Sequence, residues 1–513
     1  MSAEGRFLAP GADRGGGASM SGRSAVLVFA ALSVVLLALL VSELQWGGVA
    51  EAGRRLAEGY ATHKDLFPLD NSDYFGTTFV VLGLLIAASG GIGGGGILVP
   101  LLILVFGFSP KHAIPLSNFT IVGSSITNML MNIPKRHPDA DRPLVDWDLI
   151  LVMEPLTMAG AIVGAFTSKV LPDWILVISL VILLAYTSDQ TLKKGLSQWN
   201  KETRLFESEQ KSELVRALEQ EEEMGESESL LETVETGEAQ SPKISEDMGE
   251  DLGEGLIYDN KQTGREESAE LRALLESERA TPWDKVKMVS LMVAVVVVLN
   301  LLKGGGQAFP SPLGIECGSS SYWMLTAVVF AWVLSFSFYM RSLLIEKWRL
   351  KMRLGYRYMK GDVEWNPTNT IVYPCICFFA GFFAGLFGVG GGIVKGPLML
   401  QMGVNPLVAS GTVAVMIMYT SVAATTMFIA FGTLTWDYAM FLFVVGLLST
   451  VVGQYVVFEL VRQYKRVSLV SLSIGAVCLL STMLMGLQSI FSLIDMQNNP
   501  DEISTSSLCG ASK

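Results

Sequence analysis

The sequence predicts an all-α, polytopic transmembrane helical bundle with an internal repeat and two helices broken at glycines. Three observations support this prediction. The 513 residues are 50% apolar and only 17% charged, whereas soluble proteins carry about 25% charged residues. The charges are unevenly distributed, so that residues 74–110 and 396–436 contain no Lys, Arg, Asp or Glu. Finally, a glycine-rich block occurs once in each half of the chain.

Apolar runs long enough to cross a bilayer, which requires about 20 residues of helix, recur along the chain. We predict about ten spans, near 76–107, 113–133, 147–170, 174–192, 285–303, 322–341, 369–402, 406–432, 437–459 and 467–494. An eleventh run at 25–41 follows Arg14 and Arg23 and precedes Ala50-Glu51-Ala52. This pattern is typical of a signal peptide, with an uncleaved signal anchor as the alternative. Residues 1–52 therefore predict a secretory-pathway or plasma membrane in a eukaryote, or a bacterial-type inner membrane.

The acidity of the chain is confined to one segment. Residues 201–280 contain 24 Asp and Glu against 9 Lys and Arg, while the whole chain has a net charge of −12. Such a composition cannot bury enough apolar surface to fold alone. We therefore predict a disordered acidic loop over 201–283 with some helix at either end. It is either a plain linker or a site for a protein partner.

The segments on either side of this loop resemble each other. Gly91-Ile92-Gly93-Gly94-Gly95 corresponds to Gly388-Val389-Gly390-Gly391-Gly392 at an offset of 297 residues, and Trp147-Asp148 corresponds to Trp436-Asp437 at 289. Matched landmarks in one order indicate internal duplication. We predict a first repeat at 72–200, two linking helices and a basic loop at 284–360, a second repeat at 368–495 and a polar tail at 496–513. The basic cluster 341–360 is predicted to be cytosolic, but the sequence leaves parallel and inverted repeats open.

The glycine blocks are predicted to interrupt helices inside the membrane. The 37 uncharged residues from Tyr74 to Pro110 would extend about 55 Å as one helix, against a hydrocarbon core of about 30 Å. This segment must therefore break, tilt strongly or double back. A helix that restarts after glycines presents free N–H groups that bind anions, although small residues also serve close helix packing. The candidate substrate-binding glycines are Gly93, Gly94, Gly95, Gly390, Gly391 and Gly392.

Three polar residues in apolar surroundings are further candidates. Lys395 follows the second glycine block and would add positive charge, unless it extends to the membrane surface. Asn118 would either line the substrate path or hydrogen-bond between helices. Glu154, followed by Pro155, is a candidate for proton coupling, with pairing to a local donor as the alternative.

Other functional classes find little support in the sequence. The three histidines, His63, His112 and His137, are too scattered for a metal site. Gly91-x-Gly93-x-x-Gly96 lacks the strand and the acidic residue of a dinucleotide site. No paired aspartates or Ser/His pair occur in the predicted spans. We therefore predict no metal, no cofactor, no nucleic-acid partner and no enzymatic activity.

Three sequence features resemble the sulfite exporter TauE/SafE family. They are the glycine blocks with the prolines that follow them, Gly107-Phe108-Ser109-Pro110, and Gln401-Met402-Gly403-Val404-Asn405-Pro406. The long central loop and Cys317…Tyr322-Trp323 are similar to its eukaryotic, plant and protist branch. The resemblance covers about 72–200 and 285–495. It implies a secondary carrier of sulfite, sulfonates or related organic anions, as in 4-toluene sulfonate uptake permeases, without a bound cofactor.

Together these observations predict a secondary transporter of small sulfur-containing or organic anions that works by alternating access. A non-transporting scaffold or adaptor that recruits a partner through the acidic loop is the alternative.

Overall fold

The fold is an all-α polytopic helical bundle, as predicted. The computed structural model describes residues 66–69, 71–90, 94–137, 140–235, 269–305, 309–356, 358–359, 361–464 and a set of positions between 468 and 490. Within these ranges the regular elements are helices, and a single isolated β-bridge pairs Arg136 with Pro143. Residues 1–52, the polar tail and much of the predicted last span lie outside the described residues.

Twelve helices are resolved over the described ranges. They are α1 (Asn71–Gly90), α2 (Gly95–Leu104), α3 (Pro110–Asn132), α4 (Trp147–Val170), α5 (Asp173–Glu235), α6 (Ala269–Arg279), α7 (Trp283–Lys303), α8 (Ser320–Arg353), α9 (Asn369–Phe387), α10 (Gly392–Gln401), α11 (Pro406–Phe431) and α12 (Trp436–Tyr464). Seven helices of the described chain, α4, α5, α7, α8, α9, α11 and α12, are long and apolar enough to cross a membrane.

The first glycine-rich segment doubles back. A Cβ built on Gly83 of α1 would lie 2.9 Å from the Ile97 side chain of α2, and one on Gly76 would lie 2.5 Å from the Phe106 ring. Because Phe106, two residues beyond α2, contacts the earlier residue of α1 while Ile97 contacts the later one, the two helices are antiparallel. The run predicted as one span at 76–107 is therefore a helical hairpin whose two ends lie on the same side.

The second glycine-rich segment also divides into two helices. α9 ends at Phe387 and α10 begins at Gly392, within the run predicted as a single span at 369–402. Gly391 packs back on α9, since its Cβ position lies 3.3 Å from Ala384 Cβ. The internal repeat itself remains a prediction from the sequence.

The bundle has two ends, each held together by polar contacts. The basic face comprises the described residues within 133–148, 279–283 and 341–366, joined by Arg142 to Asp362 and by Lys347 Nζ to Asp148 Oδ2 at 2.9 Å. The opposite face comprises the described residues within 105–112, 303–320 and 431–438. There Tyr438 donates to Asp73 at 3.0 Å, and His112 Nδ1 lies 2.9 Å from the Thr433 carbonyl oxygen.

The helices that the predicted repeat would make equivalent begin at different ends of the bundle. α1 begins at the opposite face, where Asp73 contacts Tyr438. α9 follows residues 361–366 of the basic face, where a Cβ on Gly361 would lie 3.2 Å from the Asn405 nitrogen just before α11. The two halves therefore run through the bundle in opposite directions, a choice that the sequence left open.

Glycines bring the two halves into backbone contact. Gly160 and Gly164 of α4 face Gly381 and Gly385 of α9, and each pair has GxxxG spacing. A Cβ on Gly381 would lie 1.8 Å from the Thr157 carbonyl oxygen, and one on Gly164 would lie 2.1 Å from that of Phe382. Small residues allow such close approach between membrane helices, whose association depends on van der Waals packing.

The acidic segment contains helix at both of its ends. α5 continues beyond the predicted span at 174–192 as far as Glu235, and α6 covers 269–279. The predicted boundary between residues 200 and 201 thus falls inside a helix. Strongly helix-forming residues such as Glu, Lys and Leu favour this continuation. Residues 236–268 lie outside the described part of the chain.

We expect Gly381→Ala to destabilise the protein by about 1–3 kcal/mol, the usual effect of overpacking, because the alanine Cβ would overlap the Thr157 carbonyl. Gly396→Ala is the matched control, since no atom lies within 4 Å of its Cβ position. Thermal unfolding of the full-length protein in detergent measures the difference. Equal melting temperatures for the two variants would contradict the packing described for α4 and α9.

Candidate functional site

The two glycine blocks meet inside the bundle, forming what we term the glycine junction: residues 94–96, 388–392, Ser117, Asn118 and Thr420. A Cβ on Gly95 would lie 2.4 Å from Val389 Cα and 2.8 Å from the Gly388 carbonyl oxygen. Ser117 Oγ donates to that same carbonyl at 2.8 Å. The start of α2 is therefore in direct backbone contact with the segment that precedes α10.

Both short helices begin from the same backbone conformation. Gly94 precedes α2 with φ 70° and Gly391 precedes α10 with φ 71°. These values lie in the left-handed region, which glycine adopts without steric penalty. The Gly94 carbonyl accepts from Ile97 and Leu98, and the Gly391 carbonyl accepts from Val394 and Lys395.

The helix starts leave backbone donors available. The first amides of a helix have no intrahelical acceptor, and a glycine N-cap has no side chain that could supply one. In α2 these amides belong to Gly95 and Gly96, and in α10 to Gly392 and Ile393. Of the predicted substrate-binding glycines, Gly94, Gly95, Gly390, Gly391 and Gly392 lie at the junction, whereas Gly93 lies outside the described residues.

A buried ion pair joins α10 of the second half to α4 of the first half. Lys395 Nζ is 2.9 Å from Glu154 Oε2 and donates to Thr420 Oγ1 at 2.7 Å. Thr420 in turn hydrogen-bonds the other oxygen of Glu154. All three side chains have 0% exposure. α4, α10 and α11 are thus connected through one compact polar group.

This pairing brings together two residues that the sequence suggested separately. In the observed conformation, Glu154 neutralises the Lys395 ammonium. A charge removed from water in this way is tolerated when it is paired and hydrogen-bonded. Lys395 can therefore act on an anion at the junction only when the pair separates or Glu154 becomes protonated.

The ion pair, which spans the two halves, has no charged equivalent at the positions that the predicted repeat relates to it. At the sequence offsets of the predicted repeat, Lys395 corresponds to Leu98, Glu154 to Phe443 and Thr420 to Ser124. Leu98 is buried, and Gly123 packs against the Phe443 carbonyl. The two short helices therefore begin alike at the junction, but the predicted counterparts of Glu154 and Lys395 do not form a second charged pair.

Asn118 lies one residue beyond Ser117 and is fully buried. Its Nδ2 donates to the Ile114 carbonyl at 3.3 Å, while Oδ1 has no partner among the described atoms. Ile114 itself borders Gly388, whose Cβ position lies 2.8 Å from the Ile114 oxygen. Asn118 is thus close to the junction through its neighbours along α3.

A cavity of about 370 Å³ opens at the basic face, and its lining includes the charged residues Asp146, Asp148, Lys285, Lys347 and Glu278. Asp148 pairs with both lysines. Burial, followed by repulsion from Asp148, raises the pKa of Asp146. Asp148 lies six residues before Glu154 on α4, about 9 Å along the helix axis.

The helix α6 is bound to this face by Glu278. Its carboxylate lies 3.0 Å from Lys347 Nζ and 2.8 Å from Lys351 Nζ, and it accepts from Tyr356 at 3.2 Å. Burial opposes the charged form, but attraction to both lysines outweighs it and lowers the pKa of Glu278. The end of the acidic segment is therefore anchored beside the N-terminus of α4.

Sequence reasoning missed Thr420 and the glycines of α4 and α9. A single threonine in an apolar run gives no signal of its own. The GxxxG spacing at 160–164 and 381–385 was a usable signal for close helix packing.

A polytopic bundle that encloses an ion pair and interrupted helices is the architecture expected of a membrane transporter. The Sulfite exporter TauE/SafE family model matches residues 75–218 and 284–485. The chain belongs to this family, as the sequence motifs suggested, and is an integral, multi-pass membrane protein.

Two curated plant proteins are similar over most of the chain. Sulfite exporter TauE/SafE family protein 3 of Arabidopsis thaliana is 28% identical over 434 residues, covering 85% of this chain and 82% of that protein. Family protein 5 of the same plant is 27% identical over 416 residues, covering 79% and 80%. The probable membrane transporter protein YunE of Bacillus subtilis is 30% identical over 106 residues, covering 21% and 36%. No solved structure matches the chain.

We expect Lys395→Leu and Glu154→Leu each to destabilise the protein by about 3–5 kcal/mol, because each leaves the other charge buried without its partner. The double variant is expected to regain most of this loss, since Leu98 occupies the corresponding position in the other half. Thermal unfolding in detergent measures all three variants.

The exposed pair of Lys193 and Asp189, 2.7 Å apart on α5, is the control for this comparison. Breaking it with Asp189→Asn is expected to change stability by at most about 0.5 kcal/mol. Additive losses in the Glu154 and Lys395 double variant would show that the pair makes no cooperative contribution.

We expect Glu278→Gln to lower stability at neutral pH by about 1.5–3 kcal/mol, the range for hydrogen bonds to charged groups. Because its folded pKa is lowered, the wild-type carboxylate stabilises the protein above its unfolded pKa and loses this effect as pH falls through the folded value. The difference in melting temperature between variant and wild type should therefore shrink on acidification. Glu276→Gln, an exposed position on the same helix, should show no difference at any pH.

Proposed function

We propose that this protein is a secondary carrier of small sulfur-containing or organic anions, of the sulfite and sulfonate class, working by alternating access. The observation that carries the proposal is the meeting of two interrupted segments at the glycine junction, each of which leads into the N-terminus of a short helix. The family and the names of its plant relatives support the choice of substrate.

Anion recognition rests on backbone donors. Helix N-termini combine free N–H groups with the positive end of the helix dipole, and glycine permits close approach of an anion. Gly95 and Gly96 provide such groups from α2, and Gly392 provides one from α10. Asn118 adds an amide nearby on α3, bordering the same glycine segment.

The ion pair of Lys395 and Glu154 is proposed to couple anion binding to proton movement. Protonation of Glu154 would release the Lys395 ammonium, which lies one turn into α10, toward an anion at the helix start. Return of the proton to solution would restore the pair and weaken anion binding. Because the pair has no charged counterpart around Leu98, a single ion pair between the two halves would carry this coupling.

Alternating access is supported by the opposite directions of the two halves. In many secondary transporters, inverted halves enclose a site near the bilayer midplane, and broken helices supply its ligands. The cavity beside Asp148 would provide access from the basic face, which the positive-inside rule places in the cytosol. A secretory-pathway or plasma membrane of a eukaryotic cell is the proposed location.

Uptake of labelled sulfite into proteoliposomes, with and without a pH gradient, tests the proposal. We expect saturable uptake that responds to the gradient and is competed by sulfate, thiosulfate or taurine. Gly391→Ala should reduce uptake by about tenfold or more, equivalent to a loss of at least ~1.4 kcal/mol of binding free energy. Gly391 has φ 71°, which alanine rarely adopts, and it immediately precedes the backbone amide of Gly392 at the junction.

Gly355→Ala is the matched control for this test. Gly355 has a similar φ of 66° but is exposed, with no atom within 4 Å of its Cβ position. Normal uptake by Gly391→Ala would overturn the assignment of the site. Absence of uptake by folded wild-type protein would overturn the substrate class and favour the scaffold or adaptor role.

A further inference from the structure

A second buried lysine lies at the opposite face, away from the ion pair of Lys395. Lys303 is the last residue of α7, and its side chain is 1% exposed. Its Nζ lies 4.7 Å from the ring centroid of Phe166 on α4 and 4.9 Å from that of Tyr322 on α8. Three helices therefore converge on this ammonium.

The polar environment of Lys303 differs from that of Lys395. Its hydrogen-bonding contact is Met427 Sδ on α11, at 4.0 Å. No carboxylate of the described residues lies within ion-pairing distance of its Nζ. Lys303 is thus a buried cation whose surroundings are aromatic rings and a thioether.

Two further polar side chains nearby are buried without partners. Asn300 precedes Lys303 by three residues and therefore shares its helix face. Asn300 and Tyr322 are both 0% exposed. Within the described part of the chain, both amide atoms of Asn300 and the hydroxyl of Tyr322 lack hydrogen-bond partners.

The unpartnered polar groups and the buried charge of this cluster favour binding of a ligand. Unpaired polar groups and charges are costly in an apolar interior. Aromatic faces and the C-terminal end of the α7 dipole stabilise the ammonium only in part. The ammonium, the amide nitrogen and the phenol hydroxyl can all donate, and charge-assisted donors of this kind suit an anion with several oxygen atoms.

We propose that Lys303, Asn300 and Tyr322 form a binding site for a small oxyanion, separate from the glycine junction. Met427, which contacts Lys303, lies seven residues after Thr420 on α11, about 10 Å along the helix axis. The site therefore lies at the opposite face, displaced from the junction along α11. A role for this site in binding a transported anion before it reaches the junction rests on the proposed function, whereas the binding itself does not.

Anion-dependent thermal stabilisation of the full-length protein in detergent tests the proposal, with sulfite, sulfate and chloride as separate probes. The titrations are made in a Gly391→Ala background, so that a response from the junction is suppressed. We expect saturable stabilisation by the oxyanions and a weaker effect of chloride. Lys303→Met should weaken the apparent oxyanion affinity by about tenfold or more, the effect of losing ~1.4 kcal/mol of binding free energy.

Two variants make the result decisive. Lys287→Met removes a lysine that is 76% exposed on the same helix and should leave affinity unchanged. Tyr322→Phe keeps the ring beside Lys303 but removes the hydroxyl, so it should weaken oxyanion binding even where Lys303→Met fails to fold. Unchanged oxyanion affinity in Tyr322→Phe and Lys303→Met would overturn the site and make Lys303 a structural residue held by aromatic contacts.

This result is distinguishable from failure of the proposed function. Loss of oxyanion stabilisation in Lys303→Met, together with absence of sulfite uptake by the wild type, would support the site and overturn the carrier. Normal uptake with no effect of Lys303→Met or Tyr322→Phe on binding would support the carrier and overturn the site.

Discussion

The fold depends on one constraint, namely that backbone N–H and C=O groups inside a bilayer must find partners within the protein. Helices satisfy these groups internally, and interrupted backbone is tolerated only where protein or a water-filled cavity surrounds it. The two glycine segments therefore have to be enclosed. They are enclosed by each other, since Gly95 packs on Val389 and Ser117 donates to the Gly388 carbonyl. The rest of the bundle brings these two segments together and shields them from lipid.

The close approach of α4 and α9 follows from the same requirement. α9 leads into the second interrupted segment and α4 carries Glu154, so their separation determines whether Glu154 can reach Lys395. Glycines at 160, 164, 381 and 385 bring the two backbones into contact. Larger residues would move the carboxylate away from the ammonium, leaving two buried charges unpaired. Packing and electrostatics at the site are thus set by the same small residues.

The sequence predicted the membrane bundle because so many long apolar runs without charge are hard to bury in a soluble protein of this size. It also indicated where the helices stop, since glycines cluster at 91–96 and 388–392. It did not predict that Lys395 and Glu154 meet, because they are 241 residues apart and each had a plausible role alone. The relative direction of the two halves could not be predicted from the sequence either, since hydropathy cannot distinguish a span from a hairpin that returns to the same side. α5 was underestimated because acidic composition predicts poor packing but says little about helix formation.

The two buried lysines show how the same side chain can have different roles in one bundle. Lys395 has a carboxylate and a hydroxyl as partners, so its charge is compensated in the observed conformation and becomes available only through a change at Glu154. Lys303 has aromatic rings and unpartnered polar neighbours, so its charge is compensated only in part. An anion that entered from the opposite face would meet the partly compensated Lys303 first and the fully compensated Lys395 later. This order would favour entry at Lys303 while leaving movement through the junction dependent on the protonation of Glu154.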